Sequence, residues 1–179
     1  MPSSVPPRWP EDVQYLPTRR YHTSVPHNIR NHIRPTDQGR NLSSAPPLVT
    51  IKHIVVDGHP AKGQRGLFAI RKIPPHTHII DYVGEVHCDD RPHSDYDLSL
   101  YRTQDGISVG VDASRMGNEA RFINDYRGVA AKPNAIFEEY RNPAGELHMA
   151  VWSGKDEIRK GQEILVSYGK GFWQARSMQ

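Results

Sequence analysis

Six short β-branched segments after Pro47 constrain the fold of this chain more than any other feature. They are LVTIKHIVV, HIIDYVGEV, ISVGVDA, NAIFEEY, LHMAVWS and EILVSYG. Each segment is rich in Val, Ile, Leu or aromatic residues and is flanked by the Gly, Pro, Asp or Asn residues typical of turns. No regular helical segments separate them, which argues against a parallel, doubly wound sheet. We therefore predict a mainly β fold.

Helical signal is confined to two stretches of the chain. DDRPHSDYDLSLYR predicts a short helix after Pro92, and GNEARFI predicts another before Asn124. GQRGLFA lacks both the glycine pattern and the following helix of a dinucleotide-binding turn, so we exclude that type of site.

Length and cysteine content indicate a single intracellular domain. A chain of 179 residues usually buries one core. The single cysteine, Cys88, excludes an internal disulfide and a cysteine zinc cluster, and it fits a reducing compartment. No run approaches the roughly 18 apolar residues of a membrane span, and the start of the chain lacks the apolar core of a signal peptide. We expect a soluble, unsecreted protein without membrane contact.

The N-terminal residues 1–47 form a region of different composition, rich in Pro, Arg, His, Ser and Asn. No sustained period of 2 or 3.6 is present, and aromatic residues are isolated at Trp9, Tyr15 and Tyr21. Two interpretations are open: a disordered tail, or an extended arm that packs its aromatic residues against the main body. The net charge of +3 is dispersed, which is typical of a solvated surface but also compatible with weak nucleic-acid contact.

Four longer segments occur in a characteristic order: KGQRGLFAIRKIPPHTHIIDYVGEV, VDASRMGNEARFIND, KPNAIF and IRKGQEILVSYG. With these segments the chain resembles SET-domain protein lysine methyltransferases from about Val49 to Trp173. The resemblance implies small curved β-sheets with a C-terminal pseudoknot and few short helices. It places RFIND and EILVSYG together at the crossing, with Phe122 and Ile123 buried there. The predicted boundaries are an N-terminal arm at 1–47, a SET domain at 48–173 and a C-terminal tail at 174–179.

The resemblance also implies the reaction, a methyl transfer from S-adenosylmethionine to a lysine amine that leaves S-adenosylhomocysteine. The transfer is an in-line displacement, in which positioning of the reactants supplies roughly 7–11 kcal/mol. Only the neutral amine attacks, and a dry aromatic channel disfavours the ammonium form of lysine. Tyr168 matches the catalytic tyrosine of the family, and Tyr82 and Phe137 match residues that line the lysine channel. Val166 leaves room beside the amine, so we expect more than one methyl group to be added.

The cofactor site implied by the resemblance involves backbone and side-chain groups from several segments. Backbone atoms of Gly63, Gln64 and Arg65 would hold the amino-acid end of S-adenosylmethionine, since backbone donors suit a carboxylate. Tyr96 corresponds to a tyrosine that reaches the cofactor, and Asn124 to an asparagine that binds its polar portion.

Three departures from the family pattern affect this site. Gln64 stands where the family has the first glycine of its turn, and not every residue adopts the backbone angles of glycine. Asp125 stands where the family has His, and we expect only its backbone to contact adenine. The chain has no cysteine-rich zinc cluster after Tyr168, so we hypothesise that Phe172 or Trp173 covers the adenine or the lysine channel.

Other functional classes are less favoured. No H-E-x-x-H spacing and no G-x-S-x-G motif is present, and most histidines fall in YHTSVPHNIRNHIRP and IPPHTHII, which we interpret as loops; we therefore expect no metal. A non-catalytic SET module that acts as a chromatin or protein-binding scaffold stays open as an alternative. For the enzyme, the family implies a histone tail or nucleosome as substrate, a nuclear location, and a substrate peptide that pairs with a sheet edge.

Overall fold

In the computed structural model of this chain, residues 5–35 and 47–169 are described, and they divide into two compact units built from discontinuous segments. The first unit takes the described parts of Met1–Pro47 with Ile80–Arg121 and Glu138–Val151. The second unit takes Leu48–Ile79, Phe122–Phe137 and the described part of Trp152–Gln179.

Short strands dominate both units. The strands are β1 (Gln14–Tyr15), β2 (Arg20–Tyr21), β3 (Val49–His53), β4 (Arg65–Ala69), β5 (His78–Asp81), β6 (Glu85–His87), β7 (Asp97–Arg102), β8 (Ser108–Asp112), β9 (Met116–Gly117), β10 (Asn124–Asp125), β11 (Ala135–Arg141), β12 (Leu147–Ser153) and β13 (Leu165–Val166). Helix α1 spans His27–Ile33, and a 3₁₀ helix spans Glu119–Phe122. A three-stranded sheet has the order β11-β12-β5.

The first unit is organised around a four-stranded sheet of order β2-β6-β8-β7. Strand β8, one of its two inner strands, places Val109 and Val111 in the core, where they are 0% and 1% exposed. Strand β1 pairs with β9 in parallel, and β2 pairs with β6 in parallel. Helix α1 buries Ile29 and Ile33, which lie one turn apart on one face. The N-terminal residues thus contribute both strands and core side chains to this unit.

The second unit contains two two-stranded sheets and an isolated bridge. Strands β3 and β4 pair in an antiparallel manner, with Ile51 opposite Leu67 and both residues buried. Strands β10 and β13 pair in parallel, with Asn124 opposite Leu165. The backbones of Ile73 and Ile158 form an isolated bridge between fully buried residues. The β10–β13 pair brings RFIND and EILVSYG together, as expected, and buries Phe122 and Ile123.

The mainly β prediction is confirmed, because each of the six predicted segments contains a strand. The predicted helix before Asn124 is present as the 3₁₀ helix Glu119–Phe122. The helix predicted after Pro92 is wrong, since Asp97–Arg102 forms β7 and pairs with β8. Residues 5–35 contain β1, β2 and α1, and the predicted boundaries at 47 and 173 stay predictions.

Candidate active site

Tyr168 follows strand β13 and is held at both ends within the second unit. Its hydroxyl donates to the carbonyl of Ile123 at 2.5 Å. Its backbone N–H donates to Oδ2 of Asp125 at 2.8 Å. The short β10–β13 pairing and the bond from Tyr126 N–H to Val166 O carry the two segments side by side up to this point. The phenol therefore has a defined position beside the strand that carries Asn124.

The side-chain amide of Asn124 has a fixed orientation. Its Nδ2 atom donates to Oε1 of Glu163 at 2.8 Å and to the carbonyl of Arg65 at 3.3 Å. Both amide hydrogens are engaged, so Oδ1 is the atom of this side chain that presents an acceptor to a ligand. Glu163 also contacts His59, and its own backbone carbonyl accepts from Asn134 at 2.8 Å.

The turn before β4 is stabilised by its own backbone bonds. The N–H of Gly63 donates to Ile54 O, and the N–H of Gln64 donates to Ala61 O. These two donors, which the sequence analysis assigned to a cofactor carboxylate, are therefore engaged within the unit. The Arg65 carbonyl accepts from Asn124, so this turn is bonded to the strand that carries the asparagine.

Gly66 allows the close approach of Glu163 to strand β4. A Cβ atom at this position would lie 2.7 Å from Oε1 of Glu163 and 2.9 Å from the ring of Phe68. Such separations are far below ordinary contact, so only glycine fits here without a shift of the neighbours.

The remaining predicted residues of the second unit differ in exposure. Val166 is 0% exposed and lies opposite Asp125 in the β10–β13 pair. Phe137 lies in β11 and is partly exposed. Asp125 is buried, and its side chain, to which the sequence analysis gave no role, accepts several hydrogen bonds. Trp173 and Phe172 lie outside the described residues.

Tyr82 and Tyr96 come together in the first unit. Tyr82 is 6% exposed, and its hydroxyl donates to the carbonyl of Tyr96 at 2.7 Å. The guanidinium of Arg121 lies 4.3 Å from the centroid of the Tyr96 ring and donates to Ala113 O at 2.8 Å. One face of the Tyr96 ring is thus covered by a buried cation.

Several residues of this arrangement were missed by the sequence analysis: His59, Gly66, Arg121, Arg127 and Glu163. Glu163 had a detectable signal, because it is a charged residue that opens the apolar segment EILVSYG. His59 and Arg127 had none, since both lie in turn-like stretches. Among residues 5–35 and 47–169, no group of His, Cys, Asp or Glu side chains is arranged to hold a metal ion. Within the same residues, no helix is long and apolar enough to cross a membrane.

The family model for the SET domain matches residues 64–169. Human histone-lysine N-methyltransferase EHMT1 is 30% identical over 115 residues, which are 60% of this chain and 8% of that protein. The H3 lysine-4-specific histone-lysine N-methyltransferase of Schizosaccharomyces pombe is 30% identical over 112 residues, 58% of this chain and 11% of that protein. The mouse protein named inactive histone-lysine N-methyltransferase 2E is 28% identical over 121 residues, 63% of this chain and 6% of its own length.

Solved structures show the same fold. ATXR5, in complex with histone H3.1, superposes with a TM-score of 0.61 at 17% identity over 89% of this chain and 82% of its own. KRYPTONITE, in complex with DNA, a histone H3 peptide and S-adenosylhomocysteine, gives a TM-score of 0.51 at 20% identity over 71% of this chain and 25% of its own. The chain spans about a tenth of the length of the relatives named above. Because the family match covers more than half of the 179 residues, this protein belongs to the SET-domain family.

Proposed function

We propose that this protein is a lysine methyltransferase that transfers methyl groups from S-adenosylmethionine to a lysine side chain of a histone tail. The observation that carries the proposal is the Tyr168 hydroxyl held 2.5 Å from the Ile123 carbonyl, next to the oriented amide of Asn124. Human and S. pombe relatives are histone-lysine N-methyltransferases, which supports both the reaction and the substrate class. A nuclear location follows from that substrate.

The residues around Asn124 fit the charge of S-adenosylmethionine. Asn124 Oδ1 and the Arg65 carbonyl are acceptors, and Glu163 adds a carboxylate with a side chain 8% exposed. Acceptors and a buried negative charge suit a cationic group, here the ammonium of the cofactor. When bound, S-adenosylmethionine supplies a methyl group activated by a sulfonium. Asn124 and Arg65 would bind the amino-acid end and hold it in place.

Tyr168 would orient the lysine amine. Because its hydroxyl hydrogen is donated to Ile123 O, the lone pairs of the phenol oxygen point elsewhere and can accept from the substrate amine. A fixed acceptor of this kind restricts the direction of attack, and orientation is the main requirement of an in-line displacement. The neutral amine is favoured where aromatic side chains exclude water, the role we propose for Phe137 in the second unit.

We further propose that more than one methyl group is added. Val166, two residues before Tyr168, is a compact aliphatic residue, and Phe137 lacks a hydroxyl that would hold a water molecule beside the amine. Mass spectrometry of a good substrate peptide should therefore reveal di- or trimethyl-lysine. Strictly single methylation under excess cofactor would contradict this part of the proposal.

The central experiment measures transfer of a labelled methyl group from S-adenosylmethionine to core histones and nucleosomes. Wild type is compared with Tyr168→Phe and with Tyr101→Phe, a matched control in β7 whose ring stacks on His32 at 4.7 Å. We expect transfer by wild type and by the control, and loss of at least a hundredfold in Tyr168→Phe. Equal activity in Tyr168→Phe would overturn the assigned role of this tyrosine.

A non-catalytic SET module is the second candidate function. It is favoured by Gln64 at the position of a glycine, by the engaged N–H groups of Gly63 and Gln64, and by similarity to a relative named inactive. Calorimetry separates the two candidates. Absence of heat on titration with S-adenosylmethionine, together with absence of methyl transfer, would establish the scaffold, whereas binding would favour the enzyme.

A further inference from the structure

The carboxylate of Asp125 accepts hydrogen bonds from two directions. Its Oδ2 atom accepts from the backbone N–H of Tyr168 at 2.8 Å. Its Oδ1 atom accepts from the backbone N–H of Arg127 at 2.9 Å. The guanidinium of Arg127 reaches the same carboxylate at 2.9 Å from Oδ2 and 3.2 Å from Oδ1. The Asp125 side chain is only 6% exposed. Burial of a carboxylate is unfavourable unless it is paired, and here the Arg127 guanidinium and two backbone N–H groups pair with it.

This carboxylate replaces backbone pairing at the point where β10 and β13 separate. The ladder ends at the pair of Asp125 and Val166, and the bond from Tyr126 N–H to Val166 O is its last step. Tyr168 lies two residues beyond Val166, and its N–H is taken up by a side chain instead of a carbonyl. Without Asp125, that N–H loses the acceptor that fixes the backbone of Tyr168.

The two ends of Tyr168 are attached to the same short segment. The hydroxyl binds the carbonyl of Ile123, and the backbone binds the side chain of Asp125, two residues later. Asn124 lies between these two attachment points. The distance from the phenol oxygen to Asn124 is therefore set by one rigid segment, which is the arrangement that a precise attack geometry requires.

We infer that Asp125, paired with Arg127, is a positioning residue that sets the place of the Tyr168 hydroxyl. This inference rests on the proposed methyl transfer and adds a positioning residue to it. From the sequence, only the backbone of Asp125 was expected to act, at adenine, so the side-chain role is an addition to that assignment. An aspartate suits the place because both of its oxygens accept, whereas asparagine offers only one accepting oxygen to donors on two sides.

The first test compares Asp125→Asn and Arg127→Gln with wild type in steady-state methyl transfer. A misplacement of about 1 Å costs on the order of a hundredfold in rate. We expect Asp125→Asn to lower kcat by about ten- to a hundredfold, with KM for S-adenosylmethionine changed less than about threefold. Arg127→Gln, which keeps the bond to Tyr168 but removes the ion pair, should lower kcat by a smaller factor. Unchanged kcat in both variants would overturn the inference.

The second test does not depend on activity. Amide hydrogen exchange at Tyr168 should be at least tenfold faster in Asp125→Asn than in wild type, while exchange at Ile164, whose N–H donates to Leu67 O at 2.7 Å, stays the same. Faster exchange at both amides would indicate a general loss of structure and overturn a specific positioning role. Should Asp125→Asn fail to fold, the kcat of Arg127→Gln decides instead, because the replaced Arg127 side chain is 40% exposed; a kcat equal to that of wild type would then overturn the inference.

The two readouts distinguish failure of this inference from failure of the proposed function. Wild type without methyl transfer contradicts the proposed function, and the exchange result then decides alone whether Asp125 holds Tyr168. Active wild type with fast exchange but unchanged kcat in Asp125→Asn would mean that the bond exists without positioning the reaction. That outcome also overturns the inference.

Discussion

The Nε2 atom of His59 lies 2.9 Å from Oε2 of Glu163, and the two side chains are 7% and 8% exposed. The other carboxylate oxygen, Oε1, accepts from the amide of Asn124 at 2.8 Å. Glu163 therefore joins the loop before β4 to the strand that carries the proposed cofactor asparagine. A buried carboxylate is tolerated only when its oxygens are paired, and here each oxygen has a partner. The orientation of the Asn124 amide depends on this pairing.

Replacement of Glu163 by glutamine should weaken both stability and cofactor binding. Glutamine preserves the shape but has one accepting oxygen, so either His59 or Asn124 loses its acceptor. A buried donor without a partner costs about 1–3 kcal/mol, which should lower the free energy of unfolding by that amount. Affinity for S-adenosylmethionine should fall by about tenfold, which corresponds to about 1.4 kcal/mol. Urea unfolding and calorimetry measure the two effects.

The matched control for this change is Glu157→Gln. Glu157 is an exposed carboxylate paired with Lys72, and surface pairs of this kind contribute little to stability. This variant should unfold and bind cofactor like wild type. Wild-type affinity in Glu163→Gln would show that the carboxylate is not needed to orient Asn124.

Replacement of Gly66 by alanine should disturb the same carboxylate by steric contact. The new Cβ atom would lie 2.7 Å from Oε1 of Glu163, the oxygen that accepts from Asn124, so the carboxylate must shift. Overpacking of a buried site costs about 1–3 kcal/mol, and we expect this loss together with weaker cofactor binding. Gly154→Ala is the control, because its Cβ would meet its nearest neighbour at an ordinary 3.4 Å. Thermal unfolding and calorimetry of both variants test the prediction, which fails if the two behave alike.

The strands of this fold were predictable where their pattern is local. Val109 and Val111 alternate with small residues, and β8 follows from that alternation. β7 was predicted as a helix although Leu98 and Leu100 alternate; the structure pairs it in an antiparallel manner with the next strand, β8. Helix α1 has seven residues and no side-chain cap, so it carried no helix start signal.

The residues of the candidate site also differ in whether a local sequence pattern predicts them. Tyr168 and Asn124 were proposed from the sequence because they lie inside motifs that can be read along the chain. The contact of His59 with Glu163 joins residues 104 positions apart, and no local pattern reveals such a pair. The side-chain role of Asp125 was also missed, since it depends on the exact place where two strands separate. Long-range polar contacts are decided by tertiary structure, which composition and periodicity do not record.

Acid should destabilise the protein through Glu146. Burial alone raises the pKa of this carboxyl, but the bond from His148 and the charge of Arg19, whose Nη2 lies 2.8 Å away, outweigh burial and hold the pKa at about 2. The folded pKa is below the ordinary value of 4.5, so the contribution of Glu146 to stability is complete above that value. It is lost as the pH falls from 4.5 towards 2.

The test follows the free energy of unfolding of wild type and Glu146→Gln across this pH window. Wild type should be more stable near neutral pH, and the difference should shrink steadily as the pH falls through the window. His148 stays charged there, because its bonds to Asp81 and Glu146 outweigh burial and raise its pKa. A difference that does not change with pH would contradict the assignment of the acid effect to Glu146. Glu138→Gln, at an exposed position, serves as the control for a simple change in net charge.

Loss of the hydroxyl should change the free energy of unfolding differently at two tyrosines of the first unit. Tyr140 donates to Oδ1 of Asp81 at 2.9 Å, and a hydrogen bond to a charged group contributes about 1.5–3 kcal/mol. The Tyr21 hydroxyl is buried and has no hydrogen-bond partner within the described residues, while its ring lies 4.9 Å from the Arg30 guanidinium. Phe at position 21 keeps the ring contact and removes a polar group that is buried at a cost. Tyr140→Phe should therefore lower the free energy of unfolding in urea by about 1.5–3 kcal/mol, whereas Tyr21→Phe should leave it unchanged or raise it. A larger loss in Tyr21→Phe than in Tyr140→Phe would mean that the Tyr21 hydroxyl has a partner that stabilises the folded chain.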